Sequence, residues 1–248
     1  MQSLVALAIV LLSIFSKGVN SIENLRFHGL WLGAAADANI LRFQSTMIIP
    51  HGSPDSNSNA IQFLWPGMQP TSGNGVFQNV LANGSPGEWF LEPFYCCNPD
   101  KQLAPSMRVY PGDTLTNTFS LNTFNMKWYN NYMVIPGPVG QAAGEVAFSG
   151  GFIFDPATND QSVRGEAYTA ALFAIELQQA GQWDFGPLSW RDILIEINTT
   201  NTAWCNTGPT LNGGGDFNFD ISTPLASSVD GVVRCYIAQM DFLSPPQS

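Results

Sequence analysis

The chain has 248 residues, 45% of them apolar and only 11% charged, with 9 Lys and Arg against 19 Asp and Glu for a formal net charge of -10. This apolar content excludes a disordered chain and suffices for one good core. The scarcity of cations excludes the basic stripe that phosphate binding needs, so nucleic acid is not an expected partner.

Leu4 to Phe15 is an apolar run followed by small and polar residues. It is too short to span a bilayer and reads as a secretory signal peptide over residues 1–21, cleaved after Ser21. Residues 22–248 then read as a single secreted domain with no membrane attachment after cleavage.

The runs ILRFQSTMIIP, AIQFLWPG, GVFQNVLANG, GEWFLEPFY, SMRVYPGD, TLTNTFSL, NMKWYNNYMVI, AGEVAFSGGFIFDP and RDILIEINT are predicted as short strands. Gly, Pro, Asn and Asp punctuate them about every ten residues, as in a sandwich or barrel. Several alternate polar and apolar residues, as half-buried antiparallel strands do. The segment EAYTAALFAIELQQAG fits a helix by its alanines. It fits a strand equally, with Leu172, Ala174 and Glu176 on one face and Phe173, Ile175 and Leu177 on the other.

Cys96, Cys97, Cys205 and Cys235 are an even set, which in a secreted chain points to disulfides. Two bridges from the adjacent pair to the C-terminal cysteines, or one bridge from Cys205 to Cys235, both fit. No paired CxxC spacing is present and only His28 and His51 could assist, so neither a metal nor a cofactor is expected. Asp216 to Asp220 alternates oxygen ligands, but Ile221 stands where a calcium loop needs glycine, and an edge strand is expected instead. Asn83-Gly84-Ser85 and Asn198-Thr199-Thr200 are glycosylation sequons.

The stretch from Phe63 to Phe90 sets polar groups and two tryptophans on strand-like runs. It contains Trp65-Pro66-Gly67-Met68-Gln69-Pro70, then Gln78, then Glu88-Trp89-Phe90; Val109-Tyr110-Pro111-Gly112-Asp113 and Asp184-Phe185-Gly186 follow. In this order the motifs resemble the secreted fungal glutamic peptidases, the eqolisin family. The resemblance implies an all-β fold, a concanavalin A-like or jelly-roll sandwich of two antiparallel sheets with the site on the concave one. It also implies acid hydrolysis by a glutamate base and a glutamine that stabilises the oxyanion, the latter matched by Gln78.

The glutamate has no match. In the corresponding strand Leu172 occupies its position, and Gln69 stands where the family has aspartate. Three readings follow: a lost glutamate, Glu166 as a displaced base, or Glu176 as one. The first implies a protein that binds an extracellular glycan or extended peptide, with Trp65, Gln69, Gln78, Glu88 and Trp89 lining the face. The others imply an acid hydrolase using Gln78 with Glu166 or Glu176. A purely structural wall or surface protein is the third class. Without the resemblance, Gln78 and Glu88 are ordinary solvated strand residues and the tryptophans ordinary packing.

Overall fold

The structure, a computed structural model, describes residues 25–34, 38–52, 60–73, 75–85, 87–96, 100–159, 166–212 and 217–244. The expected signal peptide over 1–21, Cys97 and Asp216 lie outside these residues.

In chain order the strands are β1 (Arg26–Gly33), β2 (Ile40–Ile48), β3 (Ala60–Pro70), β4 (Val76–Ser85), β5 (Glu88–Cys96), β6 (Lys101–Gln102), β7 (Met107–Val109) and β8 (Thr114–Asn122). They continue as β9 (Lys127–Ile135), β10 (Phe148–Phe154), β11 (Tyr168–Gln179), β12 (Leu188–Ile197), β13 (Thr210–Asn212), β14 (Asn218–Ile221), β15 (Leu225–Val229) and β16 (Val232–Ser244). Short helical turns cover Pro138–Ala142, Pro156–Asn159 and Ala203–Thr207. The strands form two eight-stranded antiparallel sheets. The first runs β13-β1-β11-β3-β4-β5-β6 with β7 also on β5; the second runs β10-β9-β8-β2-β12-β16-β14 with β15 also on β16. The expected two-sheet sandwich is thus the observed architecture.

Every strand run named from the sequence contains a strand of the structure. The ambiguous alanine-rich segment is β11, inserted between β1 and β3 and buried on both faces, which explains why its pattern lacked a solvent stripe. The sequence reading passed over β1 and β16. For β16 a signal was present: Asp230 and Gly231 both adopt positive φ in the β15–β16 turn, and Asp-Gly between alternating runs is a strong hairpin signature. The stretch around Asp220 is the edge strand β14, as expected.

Alternate residues of the two sheets meet in one core that includes Phe43, Phe77, Phe119, Phe173, Trp190 and Phe242. Phe77 meets Phe119 edge-on at 5.0 Å and Trp190 meets Phe242 at 4.5 Å, the geometry that ring quadrupoles favour. Within this core lies a polar knot. Asn79 of β4 donates to Asn117 of β8 at 2.8 Å and to Asn130 of β9 at 3.0 Å, and Asn130 donates back to Asn79 at 2.7 Å. Buried amides are mostly paired in this way, although the Asn117 side-chain nitrogen keeps no partner among the described residues.

The Val109–Asp113 motif makes a corner rather than a site. Asp113 is buried and accepts the backbone N–H groups of Tyr110 and Gly137, both at 2.8 Å. The Asp184–Gly186 motif is likewise a loop: Asp184 accepts from Gln62 at 2.9 Å, and Phe185 packs against Trp89.

Cys205 is bonded to Cys235, closing 30 residues between the turn after β12 and the centre of β16. This decides between the two disulfide alternatives, since neither C-terminal cysteine is left for the Cys96-Cys97 pair. Cross-linking a loop of this length removes denatured-state entropy worth about 3 to 4 kcal/mol. Replacing both cysteines by serine should lower the extrapolated unfolding free energy accordingly and raise the m-value, because the denatured chain without the bridge exposes more surface; equal unfolding free energies would show that the bridge contributes nothing.

Candidate functional site

The outer face of the first sheet is set by strand parity. Core positions of β3, β4 and β11 include Leu64, Met68, Phe77, Leu81, Phe173 and Ile175. Their neighbours in sequence face the other way and form a second apolar cluster with Phe63, Trp65, Val80, Phe94, Leu172 and Ala174. Gln78 lies on this outer face, since it pairs across the strands with Gly67 and with Phe94.

Gln78, Gly67 and Leu172 form one cross-strand row, which continues through Leu172 to Trp31 of β1. Gly67 is needed there, because a Cβ at that position would meet the Gln78 Cβ at 3.0 Å. Pro66, beside it, has no N–H to give. Trp65 and Pro66 pair with Ala174 and Phe173 of β11 but with nothing on β4, so the β3–β4 ladder is interrupted next to Gln78. Leu172 is two strands from Gln78, about 10 Å by strand spacing. The row therefore carries an amide at one end and a leucine at the other, with no carboxylate between.

The two alternative carboxylates are engaged elsewhere. Glu176 shares the face but stands four residues along β11, so its Cα is about 16 Å from that of Gln78 by strand geometry. It accepts from the Trp65 indole at 3.2 Å and from the Gln178 amide at 3.0 Å. Glu166 accepts the backbone N–H of Ser72 at 2.9 Å, at the turn that follows β3. Neither is brought to Gln78. The Gln78 side-chain oxygen has no partner among the described residues, although the residue is only 1% exposed.

Gln69 is half-buried on the same face and donates to the Gly73 carbonyl at 3.2 Å. Glu88 is paired with Arg108 at 2.8 Å. Trp65 is on the face, with Phe27 at 5.8 Å. Trp89 is not, which corrects the expectation that it lines the face with Trp65. It points between the sheets, is fully buried in the core and donates to the His51 carbonyl at 3.3 Å. The sequon residue Asn83 has its amide engaged by the backbone of Gln62 and of Ala60, while Asn198 is exposed.

A group that the sequence reading missed stands next to Gln78. Glu92 of β5 pairs with Val80 and is therefore the diagonal neighbour of Gln78 on the outer face. It accepts from the Ser106 hydroxyl at 2.9 Å, which accepts from Gln102 at 3.0 Å. Gln102 pairs with Phe94 and so extends the Gln78 row to β6. Counting by twos from Glu88 reaches Phe90, Glu92 and Phe94, so period-two alternation carried the signal. Burial pushes the Glu92 carboxyl above its usual range, against the opposing effect of the Ser106 hydrogen bond. Among the described residues no group of three metal-ligating side chains occurs, and no helix is long and apolar enough to cross a membrane.

Burial also raises Glu176, from 4.5 to about 7, because desolvation outweighs the hydrogen bonds from Trp65 and Gln178. The folded chain then holds this proton to about pH 7, whereas the unfolded chain releases it near 4.5. The resulting stabilisation is complete below 4.5 and is lost as pH rises through about 7. Thermal melts of the wild type should therefore show a fall in Tm across this window that Glu176→Gln flattens. An unchanged fall in the variant would assign it to other groups.

No protein-family model and no curated protein matches the chain. Among solved structures, the chain is similar to scytalido-glutamic peptidase bound to a peptide-based transition-state analogue, at 12% identity and a TM-score of 0.47 over 88% of this chain and all of that one. The same peptidase with a transition-state analogue inhibitor gives 11% identity and 0.48 over the same shares of the two chains. SCP-B, a member of the eqolisin family of peptidases in complex with the tripeptide Ala-Ile-His, gives 12% and 0.40, again over 88% of this chain and all of that one. The chain is thus structurally similar, at low identity and over most of its length, to eqolisin peptidases.

Proposed function

We propose that the protein is secreted and binds an extended extracellular polymer, a peptide strand or a glycan, on the outer face of its first sheet, without glutamic-peptidase chemistry. The observation that carries this reading is the row Gln78–Gly67–Leu172, in which the amide shares its row with a leucine; the eqolisin resemblance calls for a glutamate at that leucine. A general base must lie within about 3 Å of the water it activates. Glu166 and Glu176 are both held by other donors, and Glu92, the diagonal neighbour of Gln78, is engaged by the Ser106 hydroxyl. The Cys205–Cys235 bridge suits an oxidising, extracellular setting. Apolar and aromatic lining with a few placed polar groups is the usual composition of a binding face.

A second reading, a structural wall or surface protein, is favoured by one observation: Trp65 and Gln78 are each only 1% exposed, so the centre of the face is closed to solvent. On the binding reading a ligand enters from the half-buried margin, where Gln69, Phe90 and Glu92 lie.

The test is incubation of the secreted protein with a complex peptide mixture between about pH 2.5 and about pH 6, scored for new termini by mass spectrometry. Titration with peptides and glycan oligomers is followed in parallel. The expected result is no new termini and saturable binding. Cleavage abolished by Gln78→Ala and by any one of Glu92→Gln, Glu166→Gln and Glu176→Gln would overturn the proposal in favour of an acid hydrolase. Absence of both cleavage and binding would leave the structural reading.

A further inference from the structure

Glu92 and Gln78 are neighbouring acceptors on the outer face, as Glu176 and Gln178 are farther along it. Among the described residues neither Glu92 nor Gln78 meets a cation in its hydrogen bonds. Gln78 keeps a buried side-chain oxygen without a donor. Leaving such an acceptor unmet costs about 1 to 3 kcal/mol, so its complement is a donor brought from outside. Glu92, half-buried at the margin, receives a single donor, the Ser106 hydroxyl. That hydroxyl is itself oriented by Gln102, so the carboxylate is held in place rather than free to swing.

The nearest described cation on this face is Arg108, whose backbone pairs with Phe90. Its guanidinium is committed to Glu88 at 2.8 Å and lies over the Tyr110 ring at 4.9 Å. It neutralises Glu88 and leaves the Glu92 charge to other partners. The Gln78 and Glu92 side chains are diagonal across adjacent strands, with Cβ atoms about 7 to 8 Å apart. Gln78 and Phe94 are nearly closed to solvent, so a ligand head reaches this pair from the half-buried Glu92 side. Phe94, directly opposite Gln78 and two residues from Glu92, supplies an aromatic wall. A carboxylate, an amide oxygen and an aromatic ring are together the complement of an ammonium or guanidinium group.

We propose that Glu92 and Gln78, with Phe94, form a subsite for a basic side chain, lysine or arginine, of an extended peptide lying on this face. The proposal rests on the reading of the face as a peptide-binding surface. The chain's own composition is complementary to such a ligand: it carries a net charge of -10. The long stem of a lysine or arginine passes over apolar surface while its head reaches the carboxylate.

The test uses the full secreted chain and a short extended peptide with one central lysine, alongside the same peptide acetylated at that lysine. Binding is measured by calorimetry for the wild type, Glu92→Gln and Gln78→Leu, with melting curves confirming that each variant folds. The expected result is that acetylation and Glu92→Gln each weaken binding by at least about tenfold, as loss of a charge-assisted contact should, that Gln78→Leu weakens it less, and that added salt weakens the wild type and Gln78→Leu but not Glu92→Gln. Equal binding of both peptides, unaffected by Glu92→Gln, would overturn the subsite while leaving the face as a peptide-binding surface. No binding of either peptide by the wild type would overturn that broader reading and the subsite with it. Preference for a chitosan oligomer over the lysine peptide would overturn the peptide as the ligand class.

Discussion

The amide knot of Asn79, Asn117 and Asn130 is the constraint on which the arrangement of the face depends. It is buried between the sheets and ties β4 of one to β8 and β9 of the other. A one-residue slip of β4 would turn Asn79 outward, bury Gln78 in the core and break all three hydrogen bonds. Because strand side chains alternate, holding Asn79 inward commits Gln78, its neighbour in sequence, to the outside. The polar knot thus serves specificity of register more than stability, and the aromatic core around it supplies the burial. The two prolines nearest the knot fit the same scheme. Pro66 and Pro93 lie on the strands flanking β4, where missing N–H groups interrupt or end the ladder.

On the outer face the same alternation places side chains by parity and leaves their chemistry to local partners. Trp65 donates to Glu176 and Gln178 donates to the same carboxylate, a hydrogen-bonded group within an apolar surface in which only the Gln178 side-chain oxygen, among these described side chains, keeps no partner. The Gln78 oxygen is left outside that group. The difference between these neighbours lies in their partners, since both regions are buried and both lie on central strands.

An all-β sandwich or barrel was legible because its signal is periodic and repeated, short alternating runs divided by turn residues, and the choice of two antiparallel sheets came from the eqolisin resemblance. β11 was ambiguous for a physical reason. Buried on both faces, it shows neither the two-fold stripe of a half-exposed strand nor the wider stripe of a surface helix. Leu172 was singled out by the motif resemblance, and the strand pairing sets it in one cross-strand row with Gln78. The exclusion of Trp89 from the face was within reach of parity, since Trp89 follows Glu88 on one strand and the two point to opposite sides of the sheet. Glu92 was within reach of the same parity argument. Its orientation by Ser106 and Gln102 was not, since these residues come from β6 and the loop after it.

The insertion of β11 between β1 and β3 also bears on how the chain reaches its fold. Residues 26–33 and 60–70 are made early, yet the strand that joins them spans residues 168–179. Until it arrives, two apolar strands present unpaired edges, and an unpaired edge is a template for the wrong partner. The pairing that completes the first sheet is therefore strongly non-local, and such contacts slow folding because loop closure precedes their reward. A chain built this way spends its vulnerable interval waiting for its own late segment, and its yield depends on what shields those edges meanwhile.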